Sequence, residues 1–184
     1  MRFTLCLLFL VLLGHQTMAA EALCSQVFKI NLTPAERLSN LEKKFSTEIK
    51  VVLDEKGHKE DAKEYKIRLK HADGYTMGYV LFLYNPKKHL LDIESMDVLT
   101  DFKKSGVGEV LMDQALLRFE TEQIAVESLA SDNDAILQHG LMHGLSPMEA
   151  IQQTPAYKIR QKLGFTEIIP ESINAHFGFI VRRR

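Results

Sequence analysis

The apolar residues of this chain change from a strand period to a helix period at Leu99, and that change limits the fold more than any other feature. Before it, Tyr65, Ile67 and Leu69 alternate with charged neighbours, which is typical of a half-buried strand. After it, apolar residues recur at helical spacing and predict one face of an amphipathic helix. Those residues are Gly108, Leu111, Met112, Ala115, Leu116 and Phe119. The pattern predicts a run of strands followed by a helix that packs on them.

Turn and cap signals divide the rest of the chain. Thr33-Pro34-Ala35-Glu36 is a capping box that predicts a helix start. Ala72-Asp73-Gly74 predicts a hairpin turn, and Ser131, Ser146 and Thr154-Pro155 predict three later helix starts. Strands are predicted at Val27–Ile30, Ile49–Leu53, Tyr65–Leu69, Tyr75–Tyr84, Leu90–Leu99, Ile124–Leu129, Phe165–Ile169 and His176–Val181. This order predicts an α+β (α/β) protein with a central mixed, mostly antiparallel sheet flanked by helices.

The first 22 residues have the layout of a secretory signal peptide. Arg2 precedes an apolar run from Leu5 to Leu13, and small residues follow at Ala19 and Ala20. We therefore expect a signal peptide over 1–22 and a single domain over 23–184, secreted or periplasmic. An uncleaved anchor and a lipoprotein are weaker alternatives. Delivery into another compartment is also left open.

Composition argues against several classes of function. The chain has 23 Lys and Arg against 24 Asp and Glu, a net charge of −1, so we expect no nucleic-acid partner. It has no G-x-S-x-G elbow, which argues against a serine hydrolase. His139 and His143 are four residues apart, but a third ligand is unassigned, so we expect no metal.

A glycine-containing turn between a strand and a helix is the segment most suited to chemistry. Asp97-Val98-Leu99 ends the strand, and Lys103-Lys104-Ser105-Gly106-Val107-Gly108 leads into the helix. Amides at a helix N-terminus lack helical partners and attract phosphate groups. Glycine lets the backbone come close to such a group. Alone, this turn also fits a helix entry that merely needs close packing.

Two motifs resemble the GNAT N-acetyltransferase superfamily (acyl-CoA N-acyltransferase fold). Lys103, Gly106 and Gly108 resemble its acetyl-CoA signature, with Lys where Arg or Gln is usual. Ala156 to Phe165 resembles its later helix, which typically ends in Tyr-Glu-Lys-Leu-Gly-Phe. The resemblance covers about Gln26 to Val181.

The resemblance implies acetyl-CoA as acyl donor and an unidentified amine as acceptor. It implies that backbone from Asp97 to Leu99 pairs with the pantetheine arm and that amides from Lys104 to Gly108 hold the pyrophosphate. It also implies that Asn133 lies near the cofactor. Asp92 and Glu94 lie on the strand that often carries the acidic base, and their spacing of two predicts a shared strand face. Pairing with a second copy of this chain, as a homodimer, is left open.

The sequence departs from the family at two places. Arg160 stands where members of the family usually keep a tyrosine that acts as the general acid. Tyr157 is one helical turn earlier, and it could act as the acid only if the helix is shifted. The stretch from about 136 to 153 adds a helical segment. The leading hypothesis is therefore an N-acetyltransferase with Asp92, Glu94 and Tyr157 as candidate catalytic residues. The alternative is a secreted GNAT-like domain that has lost catalysis and serves in binding or interaction.

Overall fold

A seven-stranded sheet organises the computed structural model, which describes residues 32–128, 131–174 and 176–183. The strand order is β1-β2-β3-β4-β5-β7-β6. The strands are β1 (Ile49–Lys59), β2 (Ala62–His71), β3 (Thr76–Asn85), β4 (Leu90–Val98), β5 (Gln123–Ser128), β6 (Phe165–Ile169) and β7 (Phe177–Arg183). The helices are α1 (Pro34–Phe45), α2 (Val107–Leu116), α3 (Ser131–Met142), α4 (Pro147–Gln153) and α5 (Pro155–Lys162). The predicted mixed, mostly antiparallel sheet flanked by helices is confirmed.

Only the pairing of β4 with β5 is parallel among the ladders of the described residues. A parallel pair needs a crossover connection, and α2 supplies it between these two strands. Leu111, Met112 and Ala115 of α2 are fully buried, as the helical period predicts. The crossover places the start of α2 beside the end of β4.

Helix ends follow the sequence signals. Thr33 and Glu36 form the predicted capping box of α1, and Ser146 and Glu149 form a second one at α4. Gly164 follows α5 with φ of 88°, the left-handed conformation expected of a residue that ends a helix. The extra segment that the sequence indicates at about 136–153 holds the second half of α3 and the whole of α4.

The first hairpin is longer than predicted. The strand predicted at Ile49–Leu53 continues to Lys59 as β1 and pairs with β2 along its whole length. Its second half is charged, so hydrophobic alternation does not reveal it. Cross-strand ion pairs hold it instead: Asp54 lies 2.7 Å from Arg68, and Glu55 lies 3.5 Å from Lys63.

The N-terminal predictions lie outside the described residues. These are the signal peptide over 1–22 and the strand Val27–Ile30. Within the described residues, none of the helices combines the length and apolar character that crossing a bilayer would require.

Candidate functional site

Strands β4 and β5 separate part-way along their length. Their ladder runs from Leu90–Gln123 to Ile93–Val126 in the described residues. Strand β5 then continues to Ser128 and stays paired with Phe177 of β7. On its other edge, β4 stays paired with β3 as far as Val98. The second half of β4 therefore has one edge that no described strand occupies.

A bulge at Glu94 marks the point of separation. Leu81 of β3 faces Ser95, whereas Phe82 faces Ile93, so Glu94 is an extra residue in β4. A bulge bends the strand and increases its local twist. The last described pair of β4 with β5, Ile93 with Val126, lies directly before this bulge.

The open edge ends at the predicted pantetheine segment. The Leu99 amide donates to the carbonyl of Met77 in β3, at 3.0 Å. Successive strand residues direct their backbone groups to opposite edges, so the N–H and C=O of Val98 face the open side. Asp97 and Val98 form the last pairs with β3. An extended ligand with amide groups could hydrogen-bond to β4 here, as another strand would.

Six consecutive amides lie just beyond this edge. In the described part of the chain, the N–H groups of residues 104–109 donate to no backbone carbonyl, and the first helical bond runs from Val110 to Gly106. No side chain caps the helix start either. Lys104 and Gly106 adopt positive φ, 58° and 102°. The turn is therefore a row of free donors at the positive end of the α2 dipole, which suits a phosphate or pyrophosphate group.

Basic side chains surround the turn. Lys103 and Lys104 are exposed. Lys162 of α5 forms an ion pair with Glu109 in the first turn of α2, which offsets the negative charge of that carboxylate. Of the predicted residues, Lys103, Lys104, Ser105 and Gly106 form this turn, and Val107 and Gly108 begin α2.

Two glycines allow the helix start to lie against the sheet. A Cβ on Gly108 would come within 3.2 Å of Ile159 of α5 and 3.8 Å of Met96 of β4. A Cβ on Gly78 of β3 would come within 2.8 Å of the Asp97 carbonyl and 3.1 Å of Val107. Gly78 is missed by the sequence analysis. A glycine inside a strand is the signal that could have found it, because such a glycine often marks a close backbone approach.

The candidate bases Asp92 and Glu94 both lie on β4 and are half-buried. Asp92 pairs with Leu83 of β3 and with Ala125 of β5, before the strands separate. Glu94 is the bulged residue. The strand alternation is interrupted there, so a spacing of two does not by itself place the carboxylates on one face.

Asn133 caps the helix that carries the second motif. It lies in α3, and its Oδ1 accepts a hydrogen bond from the Ala156 amide at 2.8 Å. Thr154 Oγ1 accepts from the next amide, that of Tyr157, at 3.2 Å. Asn133 thereby fixes the start of α5 relative to α3. A contact with a cofactor stays a prediction.

Tyr157 is buried, and its hydroxyl donates to the Thr166 carbonyl of β6 at 2.9 Å. This bond holds α5 on β6. It also engages the proton that a general acid would have to give. The role of Tyr157 as an acid therefore stays a prediction, and packing is the role that its contacts support.

Arg160 is the most unusual side chain of α5. It is 1% exposed, and burial lowers the pKa of its guanidinium to about 10. Its Nη1 donates to the Ala156 carbonyl of its own helix, while its Nε has no partner. Buried arginines are normally paired with a carboxylate, and the described residues provide none here. The sequence identifies the substitution but gives no sign of this burial.

The described residues contain no group of three or more His, Cys, Asp and Glu side chains placed to hold a metal ion. His139 and His143 stack, with ring centroids 4.2 Å apart. His143 Nδ1 donates to the His139 carbonyl at 2.7 Å. The pair belongs to the exposed surface of α3.

Solved structures of GNAT acetyltransferases are similar to this chain over about two thirds of its length. A putative GNAT acetyltransferase from Desulfovibrio desulfuricans matches at 14% identity and a TM-score of 0.42, covering 65% of this chain and 68% of its own. Nourseothricin acetyltransferase matches at 15% identity and a TM-score of 0.38, covering 67% of this chain and 65% of its own. Tetrahymena GCN5 matches at 13% identity and a TM-score of 0.39, covering 66% of this chain and 69% of its own. The fold resembles that of the GNAT acetyltransferases.

This chain spans 65% of the length of the matched nourseothricin acetyltransferase, which is less than two thirds. No protein-family model matches the sequence, and no curated protein matches it significantly.

Proposed function

We propose that this protein is an N-acetyltransferase that takes its acetyl group from acetyl-CoA and transfers it to an amine. The observation that carries the proposal is the row of free amides over residues 104–109, immediately after the open edge of β4. Acetyl-CoA combines a pyrophosphate with a pantetheine arm that contains two amide groups. The turn and the open edge offer complementary groups in that same order.

The proposed chemistry is direct transfer. The pyrophosphate would bind the turn at Gly106, and the pantetheine arm would lie along Val98. The thioester would then reach the gap that opens at Glu94. The amine nitrogen attacks the thioester carbonyl, a C–N bond forms, the C–S bond breaks, and the thiolate leaves. Glu94 or Asp92 would accept the proton that the amine loses.

Release of the CoA thiol tests this proposal. Acetyl-CoA is incubated with the full chain and a panel of small amines and lysine peptides, and a thiol reagent records free CoA. We expect amine-dependent release that falls at least tenfold in Glu94→Gln or Asp92→Asn, because general-base catalysis contributes about a hundredfold or more. Glu64→Gln, a carboxylate on β2, is the control. If no amine in a broad panel caused release of CoA, the proposal that the protein is an N-acetyltransferase would be contradicted.

Arg160 favours a second candidate, a GNAT-like domain that binds but does not catalyse. The position where relatives keep a tyrosine acid holds a fully buried cation, and the nearby Tyr157 hydroxyl is bonded to Thr166. This candidate predicts that acetyl-CoA or CoA binds without turnover.

From the signal-like N-terminus we also propose that the protein acts outside the cytoplasm or in a compartment to which it is delivered.

A further inference from the structure

A second cavity lies between the C-terminal end of α1, the β2–β3 hairpin and the turn that follows β4. Its volume is about 350 Å³, which is at the lower end for sites that take small ligands. Phe45 and Phe102 line it and pack edge to face, with ring centroids 5.2 Å apart. Tyr75 and Leu99 also line it, and both are exposed, by 73% and 49%. Much of the lining is therefore apolar surface in contact with solvent.

Two carboxylates lie in the lining of this cavity. Among the described residues that line it, Asp73 and Asp101 are acidic, His71 is basic, and none is a lysine or an arginine. Asp73 Oδ1 is 2.7 Å from His71 Nδ1 and accepts from the Tyr75 amide at 3.4 Å. In the residues that the structure describes, the Asp101 carboxylate has neither an ion pair nor a hydrogen bond. An exposed anion beside aromatic rings is a setting that attracts an organic cation.

The walls of the cavity are held in place without a ligand. The hairpin is closed by bonds from the Gly74 amide to the His71 carbonyl and from the His71 amide to the Tyr75 carbonyl. The Ala72 amide donates to Thr47 Oγ1 and ties the hairpin to the end of α1 at 3.4 Å. The Leu99 amide is bonded to Met77. A preformed site spends less of its binding free energy on ordering.

We propose that this cavity binds a small organic ammonium ion with an apolar or aromatic body. The ammonium would pair with Asp101, with Asp73 adding negative potential. The apolar body would lie against Tyr75, Phe102 and Leu99. The site lies on the N-terminal side of the turn at residues 104–109 and does not use its amides. The inference does not require acetyl transfer.

Calorimetric titration of the full chain with 2-phenylethylamine tests the proposal, with 2-phenylethanol and phenylacetate as neutral and anionic analogues. We expect saturable binding of the amine, at least tenfold weaker binding of the alcohol, and none of the acid, because a charged hydrogen bond is worth about a factor of ten or more. Asp101→Asn should weaken amine binding about tenfold, and Tyr75→Leu about threefold through loss of the cation–π contact.

Asp61→Asn is the matched control, because Asp61 is an exposed carboxylate that pairs with Lys87 and does not line the cavity. Its affinity for the amine should equal that of the wild type. Amine binding should also survive Gly106→Glu, which separates this site from the acetyl-CoA site. Equal affinity for amine and alcohol, an unchanged affinity in folded Asp101→Asn, or no binding at all would overturn the proposal.

Discussion

Arg37 of α1 and Asp113 of α2 form a two-point ion pair that links these two helices. Nε lies 2.5 Å from Oδ2 and Nη2 lies 2.6 Å from Oδ1. The side chain of Asp113 is 2% exposed and that of Arg37 is 16% exposed. The Asp113 carboxylate raises the pKa of Arg37. Helix α1 therefore holds α2 by charge as well as by apolar contact.

Removing one partner should leave an uncompensated charge. We expect Asp113→Asn to lower the free energy of unfolding by about 2–3 kcal/mol, because breaking a buried pair strands the other ion. Glu167 and Arg182 provide a control with the same two-point geometry at the surface, at 2.9 and 2.8 Å. Glu167→Gln should cost about 0.5 kcal/mol or less. Urea unfolding measures both. Equal costs would show that burial does not strengthen the α1–α2 pair.

Arg160→Met should stabilise the protein. The folded-state pKa of about 10 is below the ordinary value of an arginine, so the charged form is less favourable in the fold than in the unfolded chain. That penalty, about 3 kcal/mol from the pKa difference, is fully present below pH 10. It declines as the pH rises above 10, because the folded protein loses this proton at a lower pH than the unfolded chain does.

The measurement is urea unfolding of wild type and Arg160→Met at pH 8 and pH 10.5. The variant should be more stable at pH 8 and its advantage smaller at pH 10.5, the other titrating groups being common to both. Arg118→Met, an exposed arginine bonded to Gln114, should show no such change with pH. Destabilisation by Arg160→Met at both pH values would mean that the buried guanidinium is stabilising in the fold.

Gly78→Ala should disturb both stability and the site. The new Cβ would meet the Asp97 carbonyl at 2.8 Å and Val107 at 3.1 Å, so β4 or the start of α2 must move. We expect a loss of about 2 kcal/mol in unfolding free energy, as for overpacking elsewhere, and weaker acetyl-CoA binding. Gly57→Ala is the control, since its nearest neighbour would be Glu64 at 3.9 Å. If Gly78→Ala had the stability and acetyl-CoA binding of the wild type, the close approach of Gly78 to Asp97 and Val107 would be contradicted.

Asn133 can be tested for its two roles separately. Asn133→Ala should lower the free energy of unfolding by about 1 kcal/mol through loss of the cap on Ala156. Asn133→Asp keeps an oxygen acceptor for that amide and should retain the stability. If Asn133→Asp binds acetyl-CoA as the wild type does, Asn133 acts through α5. If it folds normally but binds more weakly, the side chain contacts the ligand.

Local signals predict much of the fold because they act over a few residues. The capping boxes at Thr33 and Ser146 and the buried face of α2 follow directly from the sequence. Other features depend on residues far apart in the chain. The charged half of β1 is a strand only because β2 lies beside it, and the bulge at Glu94 is defined only by its register with Leu81 and Phe82.

Some features of the candidate site can likewise be predicted from the sequence, and others cannot. The turn at residues 104–108 can be recognised from its glycines and its place between a strand and a helix. The burial of Arg160 and the capping role of Asn133 cannot be recognised, because each is set by tertiary packing. The cavity at Asp101 is assembled from α1, the hairpin and the end of β4, which no local pattern connects.

The central claim is that the turn at Gly106 binds the pyrophosphate of acetyl-CoA. Calorimetric titration with acetyl-CoA and with CoA, on wild type, Gly106→Glu and Gly144→Glu, tests it most directly. Both glycines have positive φ, 102° and 84°, and open space around the Cβ position, so both substitutions carry similar backbone strain. We expect saturable binding by the wild type and Gly144→Glu, and loss of binding in a folded Gly106→Glu. Equal binding by all three proteins, or no binding by the folded wild type, would contradict it.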